Sequence, residues 1–356
     1  MKYIASFDGL RFFAALSIVL VHCGTLGRIP LPLFRSGYLA VELFFILSGF
    51  FLARTFDNYN SPPVCLCKSY FFHRFLRLWP EYFFSLLLLI LFSTIKLETI
   101  VRVRMFLLNS LMLGSLGGIP GGRWFVSDLF WCGCLLFCML TLGKEKIKIL
   151  IFPVIGMLSL FFLINQRNMD LHAQLSNFAY LSGGVIRAIF GLIIGIYTYW
   201  GCELLKKYKS KFRPLFVTVI LFVCEVISVV GLGYILIFQK RYSVNFFNVY
   251  FYVPFLIGLL YFQKEKLLKF LSWKIWKPFG TISYSLYLVH PIVIGILKQH
   301  YMPQIKIHMI YATIFIIILS LILAVFNYWG AIYFIRILKK LAFKDEKTLE
   351  LSVCKK

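Results

Sequence analysis

The amino-acid sequence predicts an all-α membrane protein, a polytopic bundle of about ten transmembrane helices. Of its 356 residues, 60% are hydrophobic and 19% are aromatic, and the mean hydropathy is +0.84. A soluble chain of this length could not bury so much apolar surface, because its interior volume is limited. The apolar runs are also unbroken, which excludes a membrane β-barrel, since its strands alternate apolar and polar residues.

Ten apolar stretches are long enough to cross a bilayer when the sequence is scanned in windows of about 19 residues. They lie near residues 8–27, 37–54, 80–96, 124–142, 147–164, 183–201, 214–237, 246–262, 281–299 and 308–335. A further apolar piece, Met105 to Leu116, ends in a glycine-rich turn and is too short to span. We expect it to be a re-entrant or interfacial segment.

The distribution of positive charge agrees with ten spans. The net formal charge is +24, and the Lys and Arg residues lie in short clusters between apolar runs. About two thirds of them fall in alternate segments that begin with the N-terminus, and the positive-inside rule then predicts that both termini are cytoplasmic. Such loops face an anionic lipid leaflet, so we expect contacts with membrane lipids and none with nucleic acid.

We expect one membrane domain, residues 1–340, in the inner (cytoplasmic) membrane, followed by a short cytoplasmic tail at residues 341–356. The first apolar run lacks a small-residue cleavage site and is predicted to be a retained helix. The nine cysteines indicate no disulfide framework. Cys65 and Cys67 form a CxC pair, which alone is a weak metal signal, so no metal is expected.

The first apolar stretch, Phe7 to Gly27, carries two ionisable side chains on one face. Arg11 and His22 are eleven residues apart, which is three turns plus about 20°. They are therefore stacked about 16 Å apart, and His22 is expected midway or deeper in a hydrocarbon core about 30 Å thick. An ionisable group at that depth is a functional candidate. Snorkelling of Arg11 and an interhelical hydrogen bond from His22 are the alternatives.

The second stretch, Gly37 to Arg54, carries a carboxylate and a glycine on the same side. Glu42, Phe45 and Gly49 share one helical face. Glu42 is therefore expected where another helix can approach closely. Taken alone, the small residue Ser48 among bulky phenylalanines is typical of helix packing.

A basic pair precedes the third span within FFHRFLRLWPEYF. Arg74 and Arg77 are three residues apart and are neighbours on a helix. One interpretation is anchoring on the cytoplasmic side. The other is a phosphate clamp, because guanidinium groups bind phosphate in bidentate fashion.

The run FGTISYSLYLVHPIVI, Phe279 to Ile294, is more polar than its neighbours. Tyr287 and His290 are three residues apart and Ser283 lies one turn earlier, which gives one hydrogen-bonding face. For Ser283 and Tyr284 the alternative is hydrogen bonding between helices.

Together these four motifs resemble acyltransferase family 3, a family of integral-membrane O-acyltransferases. Its members are similar in carrying an Arg, ten residues and a His in the first helix, and a carboxylate before FF and SGF in the second. An R-x-x-R pair before a Pro and a late SYSxYLxH motif complete the resemblance, which covers nearly the whole chain. One departure lies in the fourth span, where many members carry a Glu five residues after Trp. Here Trp124 is followed at that spacing by Leu129, with Asp128 one place earlier, so the role of that Glu is absent or shifted to Asp128.

The resemblance implies an O-acyltransferase, in the first place an O-acetyltransferase. It would move an acyl group from cytoplasmic acetyl-CoA, or another acyl-CoA, to a hydroxyl of a cell-surface saccharide, polysaccharide or glycolipid. His22 would be the central catalytic group, as general base or transient acyl carrier, with Arg11 and Glu42 beside it. Glu42 would hold one tautomer of His22 or raise its basicity. Arg74 and Arg77, with Arg11, would bind the phosphates of coenzyme A.

A polar face that contacts the substrate or neighbouring helices completes the predicted site. Its members are Ser48, Trp124, Ser283, Tyr284, Tyr287 and His290. Arg187, in the sixth span, is a further intramembrane charge that is expected to pair with an acid such as Asp128 or Glu42.

The alternative function is a multi-pass transporter or flippase of a lipid-linked or anionic substrate. Arg11, His22 and Glu42 would then line a proton or substrate pathway. Because the sequence has no paired half-repeats, this alternative ranks second.

Overall fold

The computed structural model describes residues 3–24, 36–58, 62–92, 99–114, 123–165, 183–208, 214–238, 247–263, 265–300 and 309–342. These residues form α-helices joined by short turns, and this part of the chain contains no β-strand. The helices in chain order are α1 (Ser6–Gly24), α2 (Ala40–Asp57), α3 (Pro63–Phe92), α4 (Thr99–Ser110), α5 (Trp124–Lys146), α6 (Phe152–Asn165), α7 (Gly183–Tyr208), α8 (Pro214–Phe238), α9 (Val249–Phe262), α10 (Trp276–His300) and α11 (Met309–Ala342).

Among the described residues, short turns of 3₁₀ or π winding precede or join several helices. A 3₁₀ turn, Gly37–Leu39, leads into α2, and a second, Lys269–Ser272, precedes α10. A π-helical turn, Ile147–Ile151, joins α5 to α6.

Nine helical stretches within the described ranges are long and apolar enough to cross a membrane. They are α1, α2, α3, α5, α6 with its π turn, α7, α8, α10 and α11, whereas α9 has 14 residues and is shorter. The predicted multi-pass, all-α fold is therefore confirmed. The short helix α4, with 12 residues, covers part of the piece predicted not to span, and most of the glycine-rich turn after it lies outside the described residues.

The helix that contains the predicted third span begins well before residue 80. α3 begins at Pro63 and contains Pro80 in its interior. Arg74 and Arg77 line a cavity inside the bundle. The helix can continue through this basic segment because the charges face an interior space. The predicted tail after Ala342 lies outside the described residues, and the cytoplasmic placement of both termini stays a prediction.

Burial separates central from peripheral helices. In α1 and α5, 72% of the membrane-spanning window is buried, against 17% in α8 and 22% in α6 with its π turn. The most extensive helix–helix contacts are those between α1 and α10 and between α2 and α7. Polar side chains that act inside a membrane protein face such a bundle interior, and the helices with the predicted motifs are the ones that meet there.

Glycines let α2 and α7 pack in backbone contact. A Cβ on Gly49 would overlap the carbonyl of Leu192, and a Cβ on Gly195 would overlap the carbonyl of Ile46. Small residues at helix crossings allow this approach in membranes, where dispersion between the helices replaces the hydrophobic effect. The close contact also brings Glu42 of α2 against α7.

Candidate active site

A cavity of about 600 Å³ lies between α1, α2, α3, α5, α10 and α11. Three of its lining residues are arginines: Arg11 from α1, and Arg74 and Arg77 from α3. We call it the arginine cavity. Several guanidinium groups around one space form a binding site for a polyanion, because each can donate parallel hydrogen bonds to a phosphate.

Arg11 is oriented by contacts on two sides. Its Nη1 lies 3.6 Å from Oδ1 of Asp8, one turn earlier, and its guanidinium lies 5.2 Å from the ring centre of Phe51. Asp8 also accepts a hydrogen bond from the hydroxyl of Tyr3. Desolvation of that hydroxyl, together with the bond to Asp8, raises the pKa of Tyr3 to about 12. The carboxylate of Asp8 thus positions the side chain of Arg11 near the N-terminal end of α1.

The two arginines of α3 differ in how they are held. Nη1 of Arg74 donates to the hydroxyl of Tyr70 at 2.9 Å, and Nη2 donates to the carbonyl of Leu129 at 3.0 Å. Tyr70 is itself stacked on Phe137 with ring centres 3.8 Å apart. Arg77 is exposed within the cavity. Arg74 is therefore held against the cavity wall by two hydrogen bonds, whereas the exposed side chain of Arg77 can adjust to a bound ligand.

Glu81 is a cavity residue that the sequence motifs did not single out. Its carboxylate accepts a hydrogen bond of 2.5 Å from the hydroxyl of Ser285. Asn327 donates to that same hydroxyl at 2.8 Å and to the carbonyl of Glu81 at 3.3 Å. Glu81 follows Arg77 by four residues, so the helical spacing alone would have placed it on the same face.

Most of the predicted polar face lines the same cavity. Ser48, Ser283, Tyr284 and Tyr287 are among its lining residues. The hydroxyl of Ser283 donates to the carbonyl of Gly280 at 2.7 Å, inside its own helix. The hydroxyl of Tyr284 donates to the carbonyl of Leu78 in α3 at 3.1 Å. Tyr284 therefore ties α10 to α3, while Ser48 and Tyr287 present their side chains to the cavity.

The two histidines lie beyond the arginine cavity, and we call them the histidine pair. The ring centres of His22 and His290 are 5.1 Å apart, and neither residue is among those lining the cavity. Tyr287 connects the two regions, because it lines the cavity and its ring centre lies 5.9 Å from that of His290. The structure thus divides the predicted site into the arginine cavity and the histidine pair, with Tyr287 in contact with both.

Both imidazoles are held by their own helices. Nδ1 of His22 lies 2.8 Å from the carbonyl of Ile18, and Nδ1 of His290 lies 3.2 Å from the carbonyl of Leu286. Since a carbonyl only accepts, each Nδ1 carries the hydrogen, and each neutral ring keeps its lone pair on Nε2. Nε2 is therefore the basic atom of each ring.

Glu42 is fully buried and takes part in a contact of three helices. It accepts a hydrogen bond of 2.7 Å from Nε of Arg187 in α7 and one of 2.5 Å from the hydroxyl of Tyr250 in α9. The acid that pairs with Arg187 is thus Glu42. The expected contact between Glu42 and His22 is not among the contacts described for this carboxylate.

Trp124 also belongs to this buried contact and not to the cavity wall. The guanidinium of Arg187 lies 5.1 Å from the ring centre of Trp124, and Trp124 is absent from the residues that line the arginine cavity. Asp128, one turn later in α5, is buried against Gly184 of α7. These residues join α5 to α7 behind the arginine cavity.

Comparison with known proteins identifies the family. The family model for the acyltransferase domain, acyltransferase family 3, matches residues 4–329. The chain belongs to acyltransferase family 3. The four motifs lie within the matched residues, and the resemblance expected from them is confirmed.

Two relatives are similar over most of the chain at low identity, and a third is similar over a shorter part. The O-acetyltransferase OatA of Staphylococcus aureus (strain NCTC 8325 / PS 47) is 23% identical over 364 residues, which cover 92% of this chain and 56% of OatA. A putative O-acetyltransferase of Staphylococcus aureus (strain COL) is 24% identical over 357 residues, 88% of this chain and 54% of that protein. A putative acetyltransferase of Acidianus two-tailed virus is 33% identical over 150 residues, 42% of this chain and 40% of that protein.

The match to the two Staphylococcus aureus proteins covers most of this chain but only about half the length of each of those curated relatives. No solved structure matches it.

Proposed function

We propose that this family 3 acyltransferase is an O-acetyltransferase of the inner (cytoplasmic) membrane. It moves an acetyl group from acetyl-CoA to a hydroxyl of a cell-surface saccharide, polysaccharide or glycolipid. The observation that carries the proposal is the arginine cavity, one of whose lining residues, Tyr287, lies beside the histidine pair. The relatives named O-acetyltransferase support the acetyl group as cargo.

The arginine cavity fits the anionic part of the donor. The phosphates of coenzyme A are polyanionic, and Arg77 is exposed to the cavity with Arg11 and Arg74 around it. The uncharged pantetheine arm would then run along the aromatic and hydroxyl side chains toward Tyr287. In this proposal the charged end of the donor lies at the arginines and its thioester lies near Tyr287.

The histidine pair fits the proton transfer that the reaction requires. His22 takes the proton of the acceptor hydroxyl at Nε2, and the hydroxyl oxygen forms a bond to the thioester carbonyl carbon. The carbon–sulfur bond breaks, and the leaving sulfur of coenzyme A takes the proton from His22. The products are an O-acetyl ester and free coenzyme A, and the imidazole is again neutral.

The test uses the purified chain in proteoliposomes with acetyl-CoA and defined saccharide acceptors. We expect release of free coenzyme A that matches the amount of ester formed. Comparison of surface glycans from cells with and without the protein identifies the acceptor by the ester that is lost. Inactivity with all saccharide acceptors and unchanged glycans would overturn the proposal, and translocation of an anionic substrate without ester formation would favour a transporter.

A further inference from the structure

The histidine pair contains a buried polar atom that the proposed reaction has not yet used. His290 is 1% exposed, and its Nε2 has no hydrogen-bond partner among the described residues. Leaving a buried acceptor unsatisfied costs about 1–3 kcal/mol. Such an atom calls for an explanation in a native protein, and proximity to a reactive group is one.

The orientation of both rings turns their Nε2 atoms away from their own helices. Nδ1 of each ring bonds to a carbonyl one turn earlier in its helix, so the Nε2 edge of each ring points outward. α1 packs against α10, and the ring centres are 5.1 Å apart. At this separation one proton can be held between the two rings, directly or through one water molecule.

We propose that His290 is a positioning residue that shares the proton taken up by His22. This inference rests on the proposed function, in which His22 accepts the proton of the acceptor hydroxyl. The proton moves from the hydroxyl oxygen to Nε2 of His22, where it is hydrogen-bonded by the lone pair of Nε2 of His290. It returns to the sulfur of coenzyme A when the carbon–sulfur bond breaks, so the pair gains and loses one proton in each turnover.

Sharing the proton solves a problem of charge in this part of the bundle. An imidazolium in an apolar environment is costly unless a polar group compensates for lost water. Among the described residues, the rings of His22 and Tyr287 lie beside that of His290, with ring centres 5.1 Å and 5.9 Å away. A second neutral imidazole stabilises the positive charge without adding a permanent charge of its own.

The kinetic test compares His290→Gln and His290→Ala. Gln keeps a hydrogen-bond acceptor but cannot take up a proton, so we expect kcat to fall about 10-fold in His290→Gln and about 100-fold in His290→Ala. The KM for acetyl-CoA should remain unchanged, because the arginine cavity is intact. Ser228→Ala is the matched control, since it removes another buried polar group without a described hydrogen-bond partner, in the peripheral helix α8. Equal kcat in the wild type and both His290 variants would overturn the proposal.

A second measurement does not depend on turnover. Nitrogen-15 NMR of histidine-labelled protein, assigned with His22→Gln and His290→Gln, follows both Nε2 signals as the pH is lowered. We expect both signals to move together for one added proton in the wild type, and His22 to titrate alone in His290→Gln. Independent titration of the two rings in the wild type would overturn the proton sharing. Joint titration in a protein that transfers no acetyl group would instead contradict the proposed function, while the proton sharing between the two histidines would still be supported.

Discussion

The arginine cavity and the histidine pair satisfy their polar groups in opposite ways. In the cavity, Arg77 is exposed and Arg11 has an ion-pair partner at 3.6 Å. In the histidine pair, each ring bonds to the backbone of its own helix, and His290 is almost completely buried. The first arrangement suits a charged ligand, and the second suits a proton transfer beside a buried imidazole.

This difference predicts that substitutions in the two regions change different kinetic constants. Groups that bind the phosphates act equally on the bound donor and on the transition state, so their loss raises KM. A group that accepts a proton acts only as the bond forms, so its loss lowers kcat.

The largest effect is expected for His22→Ala. Without a base at this position, kcat for acetyl transfer should fall on the order of 10⁴-fold, the upper end for proton transfer by a positioned side chain. Binding of acetyl-CoA, measured by equilibrium titration, should stay within about 2-fold of the wild type, because no arginine of the cavity is altered.

Ser17→Ala is the control on the same helix. Its hydroxyl donates to the carbonyl of Phe13 and lies outside the arginine cavity. Retention of wild-type kcat by His22→Ala would remove this imidazole from the reaction. A matched loss of donor affinity would mean that the two regions are not separate.

The next effect concerns stability rather than turnover. Glu42→Gln leaves the buried guanidinium of Arg187 without its counter-charge, and we expect a loss of about 3 kcal/mol in the free energy of unfolding. The combined variant with Arg187→Met should recover part of this loss, because neither buried charge remains. The measurement is unfolding of the detergent-solubilised protein by denaturant, followed by helical circular dichroism.

The same variant decides between two roles for Glu42. If the carboxylate joins α2, α7 and α9, the remaining folded protein should have near-normal kcat. A Glu42→Gln protein with unchanged stability and a large loss of kcat would restore the predicted role of Glu42 beside His22.

A smaller effect is expected for Arg77→Ala. Loss of one charge-assisted contact to a phosphate, about 2 kcal/mol, should raise the KM for acetyl-CoA about 30-fold with little change in kcat. The wild-type KM should also rise with ionic strength, and this dependence should weaken in the variant.

Arg336→Ala is the matched control, because Arg336 is an exposed arginine of α11 outside the cavity. An equal change of KM in both variants would reduce the role of Arg77 to general surface charge. Arg77 is a cleaner target than Arg74, whose removal would also free the carbonyl of Leu129.

The sequence predicted well what depends on helical spacing. Arg11 and Arg77, from two separate motifs, line one cavity, and Ser283 and Tyr287 join them there. Each of these side chains was assigned to a face by counting residues within one helix. Hydrophobic length and spacing are properties of a single segment, so they can be read without tertiary structure.

Contacts between distant segments could not be predicted in this way. The partner of Glu42 lies 145 residues away in the chain, and the partner of Glu81 lies 204 residues away. Two acids, Asp128 and Glu42, were equally acceptable partners for Arg187 from sequence. Both acids lie against α7 in the fold, Asp128 at Gly184, and the hydrogen bond from Nε of Arg187 selects Glu42.

The smallest effect is expected for Ser285→Ala, at the border of the arginine cavity. The hydroxyl of Ser285 donates to Glu81 and accepts from Asn327, so its loss leaves one carboxylate with one donor fewer. A single such bond contributes about 1 kcal/mol, which predicts a change of about 5-fold in the KM for acetyl-CoA and an unaltered kcat. Ser272→Ala is the control, since its hydroxyl donates to the backbone carbonyl of Lys269 within one exposed turn. A loss of kcat in Ser285→Ala would show that Glu81 acts in the chemical step. The residues that take part in the reaction would then include a side chain of α3 inside the arginine cavity.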